Sequence, residues 1–373
     1  RRSLKMKFSC EKYALQNAIA IASRAAASKS PIPALEGLLI TARGGVRVTG
    51  YDLKKGIYTN MEADTDQIGD IVVGAKLFGE MIRRMPDGIV TVTADEKNNV
   101  QVKCGKSEFN FMGISPEDYP EIPVVEGINN ISLPQKILKS MINQTIFAVS
   151  ESEVRPIYTG VLFEIDGDTL TLVAVDGYRL AKRCERIEGA KLENCTFVVP
   201  GSSLTDIERI CTDDDSEVKI SVGDKHISFV IGDTVLVSRR LEGEFLNYRK
   251  SIPEEFRYTV EVGRSELIST IDRVALIVSV KNSSPVRMTF NDGSIDCVCV
   301  TPIGRADDVC TCDGNGEGLM VGFNDRYLKD ALKAAGKDEL FVCVNTASSP
   351  CVIKAADGTE NFTYMVLPVR LHA

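Results

Sequence analysis

One pattern recurs three times in this chain, as VVGAKLFGEMIRRM from Val72, VVPGSSLTDIERI from Val198 and MVGFNDRYLKDAL from Met320. Superposing Leu77, Leu204 and Leu328 separates the copies by roughly 125 residues, far beyond solenoid periods and about the size of a whole domain. At 373 residues the chain has room for three such domains. Each copy also opens alike. FSCEKYALQNAIAIASRAA, ISLPQKILKSMINQTIFAVS and YTVEVGRSELISTIDRVALIVS each read as a short strand running into a helix whose apolar residues lie three and four apart.

After each first helix come a proline-bearing loop (Pro31 and Pro33, Pro156, Pro285) and alternating strands, with Asp166-Gly167 and Asp292-Gly293 where hairpin turns belong. The recurring stretch supplies a second helix, and more alternating strands follow it. The predicted fold is therefore α+β: three repeats of strand, helix, strands, twice over, with about two dozen antiparallel strands and each helix pair covering a sheet face of its own unit. Boundaries near Gly127 and Glu254 divide the chain into residues 1–127, 128–254 and 255–373.

The start of the chain imitates a signal peptide, since Lys7 and Lys12 precede an alanine-rich run with an Ala-x-Ala site. Glu11, Gln16, Asn17 and Arg24 interrupt that run, while Leu15, Ala18, Ile19, Ala22 and Ala26 keep helical spacing, so an amphipathic helix is the better reading. Arg1 to Lys5 read as a cloning remnant ahead of a natural start at Met6. No apolar run approaches the roughly 18 residues needed to cross a bilayer. The 11 cysteines are an odd number, and Cys104, Cys195, Cys343 and Cys351 sit singly in strand-like runs, as buried thiols of a reducing cytosol do. Cys297/Cys299 and Cys310/Cys312 are spaced too closely for a zinc ribbon.

The net charge of −8 argues against a protein that coats nucleic acid by bulk positive charge, but its distribution matters more. The six expected helices sum to about +6, leaving about −14 for strands and loops, so cations concentrate in one structural layer. Arg24, Lys29, Lys76, Arg83, Arg84, Lys136, Lys139, Lys329 and Lys333 supply cations that can meet phosphates. No zinc finger, basic helix, RNP aromatic motif or tryptophan is present to read bases, so any DNA contact is expected to be sequence-independent.

Material for catalysis is scarce. His226 and His372 are the two histidines, both read as surface residues; no phosphate-binding GxxxxGK[ST] loop occurs, and GNGEG around Gly316 opens no helix. Asp213-Asp214-Asp215 could hold a divalent cation, as a metal-dependent nuclease would require, or form a solvated turn. No cofactor, metal or catalytic residue is assigned.

Three related units, VAVDGYRLA from Val173 to Ala181, and the terminal YMVLPVRL from Tyr364 to Leu371 together resemble the bacterial sliding clamp, the β subunit of DNA polymerase III, over Met6 to Leu371. The resemblance implies a non-catalytic processivity factor: a head-to-tail homodimeric ring of six similar domains, with a basic helical lining around duplex DNA and an acidic rim. It implies a cytoplasmic protein whose partners are DNA polymerase catalytic subunits, an ATP-dependent clamp loader and other clamp-motif proteins, with no membrane. The family's apolar partner-peptide pocket falls on Tyr158, Val175, Gly177, Tyr178, Arg179, Leu180, Leu246, Met365, Leu367, Pro368, Val369, Arg370 and Leu371. Arg179 and Arg370 are expected to orient a Gln or acidic peptide group there. Phe109 and Phe111 against Leu276 and Ile277 are the expected dimer contacts. Tyr178 stands where many members carry histidine, Leu246 where proline is frequent, and His372-Ala373 extend past the usual terminal leucine.

Overall fold

The helices form where apolar side chains recur on one face. In the computed structural model they are α1 Lys12–Ala22, α2 Ala75–Arg84, α3 Gln135–Asn143, α4 Gly201–Ile210, α5 Arg264–Val274 and α6 Asp325–Ala334. On α1, Leu15, Ala18, Ile19 and Ala22 are buried; on α5, Leu267, Thr270, Ile271 and Val274; on α6, Leu328, Ala331 and Leu332. Asn324 caps α6, its side chain accepting from the amides of Arg326 and Tyr327 at 3.0 and 3.2 Å.

Residues 4–125, 129–187, 194–278, 284–358 and 361–371 are described. Gly127 at the first expected boundary, Arg1 to Ser3 of the expected remnant, and the His372-Ala373 tail lie outside them. The chain divides into two compact units, residues 1–138 with 206–240 and residues 139–205 with 241–373.

In the first unit a five-stranded antiparallel sheet runs, in spatial order, Asp64–Gln67, Leu4–Glu11, Ile89–Asp95, Asn99–Cys104 and Ser107–Met112. Its register sets Val90 opposite Cys104, Val92 opposite Val102 and Ala94 opposite Val100, all buried, so alternation delivers one apolar face to the core. Met6, Phe8, Leu15, Ile19, Leu38, Ile40, Val48, Phe78 and Ile82 join that core.

The eight-stranded sheet corrects the expectation that each repeat keeps its own sheet. Four of its strands come from the first repeat and four from the second, and the seam is Lys55–Met61 paired antiparallel with Thr234–Arg239. In the second unit a ten-stranded sheet has the corresponding seam between Arg179–Arg186 and Phe362–Val366. A strand at the end of an isolated repeat would leave a row of backbone N–H and C=O groups unpaired; the next repeat satisfies them.

The repeat register also needs correction by one residue in the first copy. Ala75, Gly201 and Asp325 begin equivalent helices, which sets Phe78, not Leu77, against Leu204 and Leu328. Phe78, Leu204 and Leu328 are at most 1% exposed, whereas Leu77 is 54% exposed. Asp166-Gly167 forms the expected tight turn, with Gly167 at φ 61° and Asp166 paired to Thr169. Asp292-Gly293 lies instead within the strand Val286–Thr301, at a register shift where Gly293 takes φ 73°.

Candidate functional site

In the second unit the segment Asp176 to Arg179 is built as a polar turn. The Asp176 carboxylate accepts from the amides of Tyr178 at 2.9 Å and Arg179 at 3.0 Å, and Gly177 takes the left-handed φ of 94° that glycine tolerates without strain. The Arg179 guanidinium donates to Asp176 at 2.9 Å and to Asp330 of α6 at 2.6 Å. It also lies 4.5 Å from the Tyr327 ring centroid and 5.5 Å from that of Phe147. Arg179 is 7% exposed. Asp176 and Asp330 thus take two of its five N–H donors and hold the guanidinium in place. Tyr178, 62% exposed, projects beside it and stacks on Tyr327 at 6.1 Å.

The first unit carries the same arrangement one repeat earlier. Asp52 accepts from the amides of Lys54 at 2.8 Å and Lys55 at 2.7 Å, Leu53 takes φ 71°, and the Lys55 ammonium pairs with Asp206. Asp206 holds the same place in α4 that Asp330 holds in α6. Beside each turn the following repeat's seam segment bonds back: Arg239 donates to the Lys54 carbonyl at 2.9 Å, and Leu367 to the Tyr178 carbonyl at 2.8 Å.

Around the second turn an apolar surface assembles. Met365 pairs opposite Leu180, and both join Ile157, Leu162, Val173, Val198 and Tyr248 in one buried cluster edged by Tyr158, Leu241, Phe245 and Leu367. Tyr158 meets Phe245 edge-on at 5.5 Å. Past the last strand, Val369 donates to the Gly322 carbonyl at 2.8 Å, and Leu371 packs so closely that a Cβ on Gly322 would come within 2.6 Å of it. Val175 is buried and Pro368 and Leu371 half-buried, while Gly177, Leu246, Val369 and Arg370 are exposed. The structure thus gathers all thirteen expected pocket residues into one unit, in which Tyr158, Leu180, Met365 and Leu367 belong to a single cluster. Phe245, Leu241, Tyr327 and Asp330 were missed; the last was legible only by matching α6 to α4 residue by residue.

Eight of the nine expected phosphate-facing cations fall into two groups. Arg83 and Arg84 pair with Glu80, Lys136 with Asp215, and Arg24 with Asp206 at 3.5 Å. Lys329, 18% exposed, pairs with both Asp272 and Asp325 at 3.0 Å. Lys139 is half-buried. Lys29, Lys76 and Lys333 are exposed and have no ion-pair partner among the described residues. Because Asp325 opens α6, the helices carry about +5 rather than +6.

Phe109 is 37% exposed on Ser107–Met112, the outer strand of the five-stranded sheet, whereas Phe111 is half-buried with its ring 6.4 Å from Phe78. In the second unit Leu276 is 82% exposed on the short turn after α5, with Ile277 half-buried beside it. Asp214 is held by Ser216, which pushes its carboxyl below the usual range, and Asp215 faces Lys136. Cys195 is half-buried rather than buried, while burial pushes the thiols of Cys10, Cys297 and Cys310 up to about 12. His226 is half-buried in its strand; desolvation and then Arg239 and Lys225 hold it below the ordinary value.

Comparison with known proteins agrees along the whole chain. Models of the N-terminal, central and C-terminal domains of the DNA polymerase III beta subunit match residues 6–123, 132–247 and 249–370. A beta sliding clamp of Halalkalibacterium halodurans is 32% identical, covering 94% of this chain and 96% of its own, and that of Bacillus subtilis is 30% identical, covering 98% and 100%. The crystal structure of the Bacillus subtilis DNA polymerase sliding clamp superposes with a TM-score of 0.95 at 29% identity, over 99% of this chain and all of that one. The DNA polymerase III subunit beta from Pseudomonas aeruginosa gives 0.93 at 26% identity, over 98% and 100%. Three domain models in order and relatives matched from end to end leave one family: the chain belongs to the bacterial sliding clamps, the beta subunits of DNA polymerase III.

Proposed function

We propose that this chain is the non-catalytic processivity subunit of a replicative DNA polymerase, a homodimeric ring that encircles duplex DNA and slides without reading sequence. The observation that carries the reading is the ordered match of three domain models of one family across a single chain. The charge pattern supports it. A molecule of net charge −8 is repelled by DNA over most of its surface, and exposed Lys29, Lys76 and Lys333 offer weak, salt-screened phosphate contacts that suit sliding. Domain boundaries near Gly127 and Glu254 belong to this reading.

The apolar surface around Leu180, Met365 and Leu367 is the docking pocket for short linear peptides of polymerase catalytic subunits and other partners. Tyr158, Tyr178, Leu246, Pro368 and Val369 form its walls and rim. Apolar burial supplies most of the affinity, and exposed Arg370, with no ion-pair partner among the described residues, is offered to a polar or acidic peptide group. Phe109 and Phe111 of one protomer meet Leu276 and Ile277 of its partner to close the ring, which an ATP-dependent loader opens in the cytoplasm.

Topology tests the central claim. Once loaded on nicked circular DNA, the protein should stay bound in salt that weakens phosphate contacts and should be lost when the circle is cut. Equal retention on circular and freshly linearised DNA would overturn encirclement.

A further inference from the structure

We propose that Asp330 of α6 is a positioning residue for the peptide pocket, acting through Arg179 to fix the Tyr178 rim. The proposal rests on the peptide-pocket reading above. Three observations carry it. Arg179 is buried and bonded on one side to Asp176, whose carboxylate shapes the Tyr178 turn, and on the other to Asp330 at 2.6 Å. Tyr327, one turn before Asp330 on the same helix face, stacks on both the guanidinium and the Tyr178 ring. The Tyr178 carbonyl accepts from Leu367, so the turn and the C-terminal wall are tied by one hydrogen bond. Asp330, Arg179, Asp176, Tyr178 and Leu367 thus form a continuous chain of bonds from α6 to the pocket.

The first unit supplies an internal control. Asp206 with Lys55 and Asp52 repeats the clasp, but Lys54 stands where Tyr178 does and no pocket residue lies beside it. If the clasp only held strand to helix, arginine would be no better than the lysine found there. An ammonium can bridge two carboxylates, as Lys329 does, but only a planar guanidinium can do so while stacking its face on a ring. The arginine, the tyrosine pair and the apolar wall occur together in the second copy.

The test is anisotropy of a fluorescein-labelled pentapeptide beginning with glutamine and ending in leucine and phenylalanine, titrated with the full-length protein. Asp330→Asn, which keeps size but removes charge, should weaken binding about tenfold and speed hydrogen exchange at the Tyr178 and Arg179 amides, while Asp330→Glu recovers part of the affinity. Asp206→Asn should stay within twofold of the parent. An affinity for Asp330→Asn within twofold of the parent, or equal weakening by Asp206→Asn, overturns the proposal. Should Asp330→Asn fail to fold, Arg179→Lys must show the same weakening, and unchanged affinity there overturns it equally. Failure of the parent protein to bind the pentapeptide overturns the pocket reading itself, and the proposal with it.

Discussion

Arg179 donates to Asp330 at 2.6 Å, and one repeat earlier Lys55 meets Asp206 at the matching place on α4. Each pair ties the seam strand of one repeat to the second helix of the next. Largely buried pairs of this kind contribute little net stability when intact but are costly to halve, because the remaining charge is left in a region of reduced dielectric. Replacing Asp206 by alanine should therefore destabilise by about 3 kcal/mol, since Lys55 and Arg24 lose their shared partner. Denaturant unfolding would read this, and a cost below about 1 kcal/mol would show that the pair is solvent-screened.

The corrected repeat register makes a sharper prediction about α2. Phe78 is fully buried and Leu77 is 54% exposed. Phe78→Ala should cost about 3–5 kcal/mol, whereas Leu77→Ala should stay within about 0.5 kcal/mol. A larger loss at Leu77 in chemical denaturation would restore the alignment made from sequence alone.

Ring closure predicts assembly. Phe109→Asp or Leu276→Asp should convert a dimer of about twice 40.8 kDa into a folded monomer, because each places a charge at the proposed apolar contact. Light scattering with a melting curve distinguishes dissociation from unfolding; a dimer unchanged by both substitutions would move the interface elsewhere.

Free and paired cations should behave differently toward DNA. Removing Lys29, Lys76 and Lys333 together should weaken binding to duplex DNA and flatten the dependence of log affinity on log salt by about 0.9 for each lost phosphate contact. Lys329→Ala should change that slope less and lower the melting temperature more, since its ammonium bridges Asp272 and Asp325. The opposite ranking would mean that the bridge breaks in favour of phosphate.

Buried thiols set a limit in alkali. Burial raises Cys10, Cys297 and Cys310 from 9.0 to about 12, so the folded chain keeps protons that the unfolded chain releases. Their contribution is fully present below pH 9 and is lost progressively as pH rises toward 12. Urea midpoints should fall across that window, and thiol reagents at pH near 8 should reach these cysteines only on unfolding. Rapid modification of all three in the native protein would contradict their burial.

By itself the sequence determined the threefold repeat, the six helices and the alternating strands, because amphipathic period and turn chemistry are local properties that neighbouring residues impose on one another. It also marked Val173 to Ala181 and Tyr364 to Leu371 as exceptional. Tertiary structure decided which strands share a sheet. Lys55–Met61 and Thr234–Arg239 carry no local mark of each other, and their pairing follows from the need to satisfy an otherwise open edge. It decided the one-residue register of α2, where VVGAKLF offers two adjacent large apolar residues and packing against the five- and eight-stranded sheets selects Phe78. It decided, too, which cations stay free. A lysine in a helix reads the same from sequence whether a carboxylate distant in the chain meets it, as Asp272 meets Lys329, or none among the described residues does, as at exposed Lys76; partner choice depends on distances that exist only once the chain has folded.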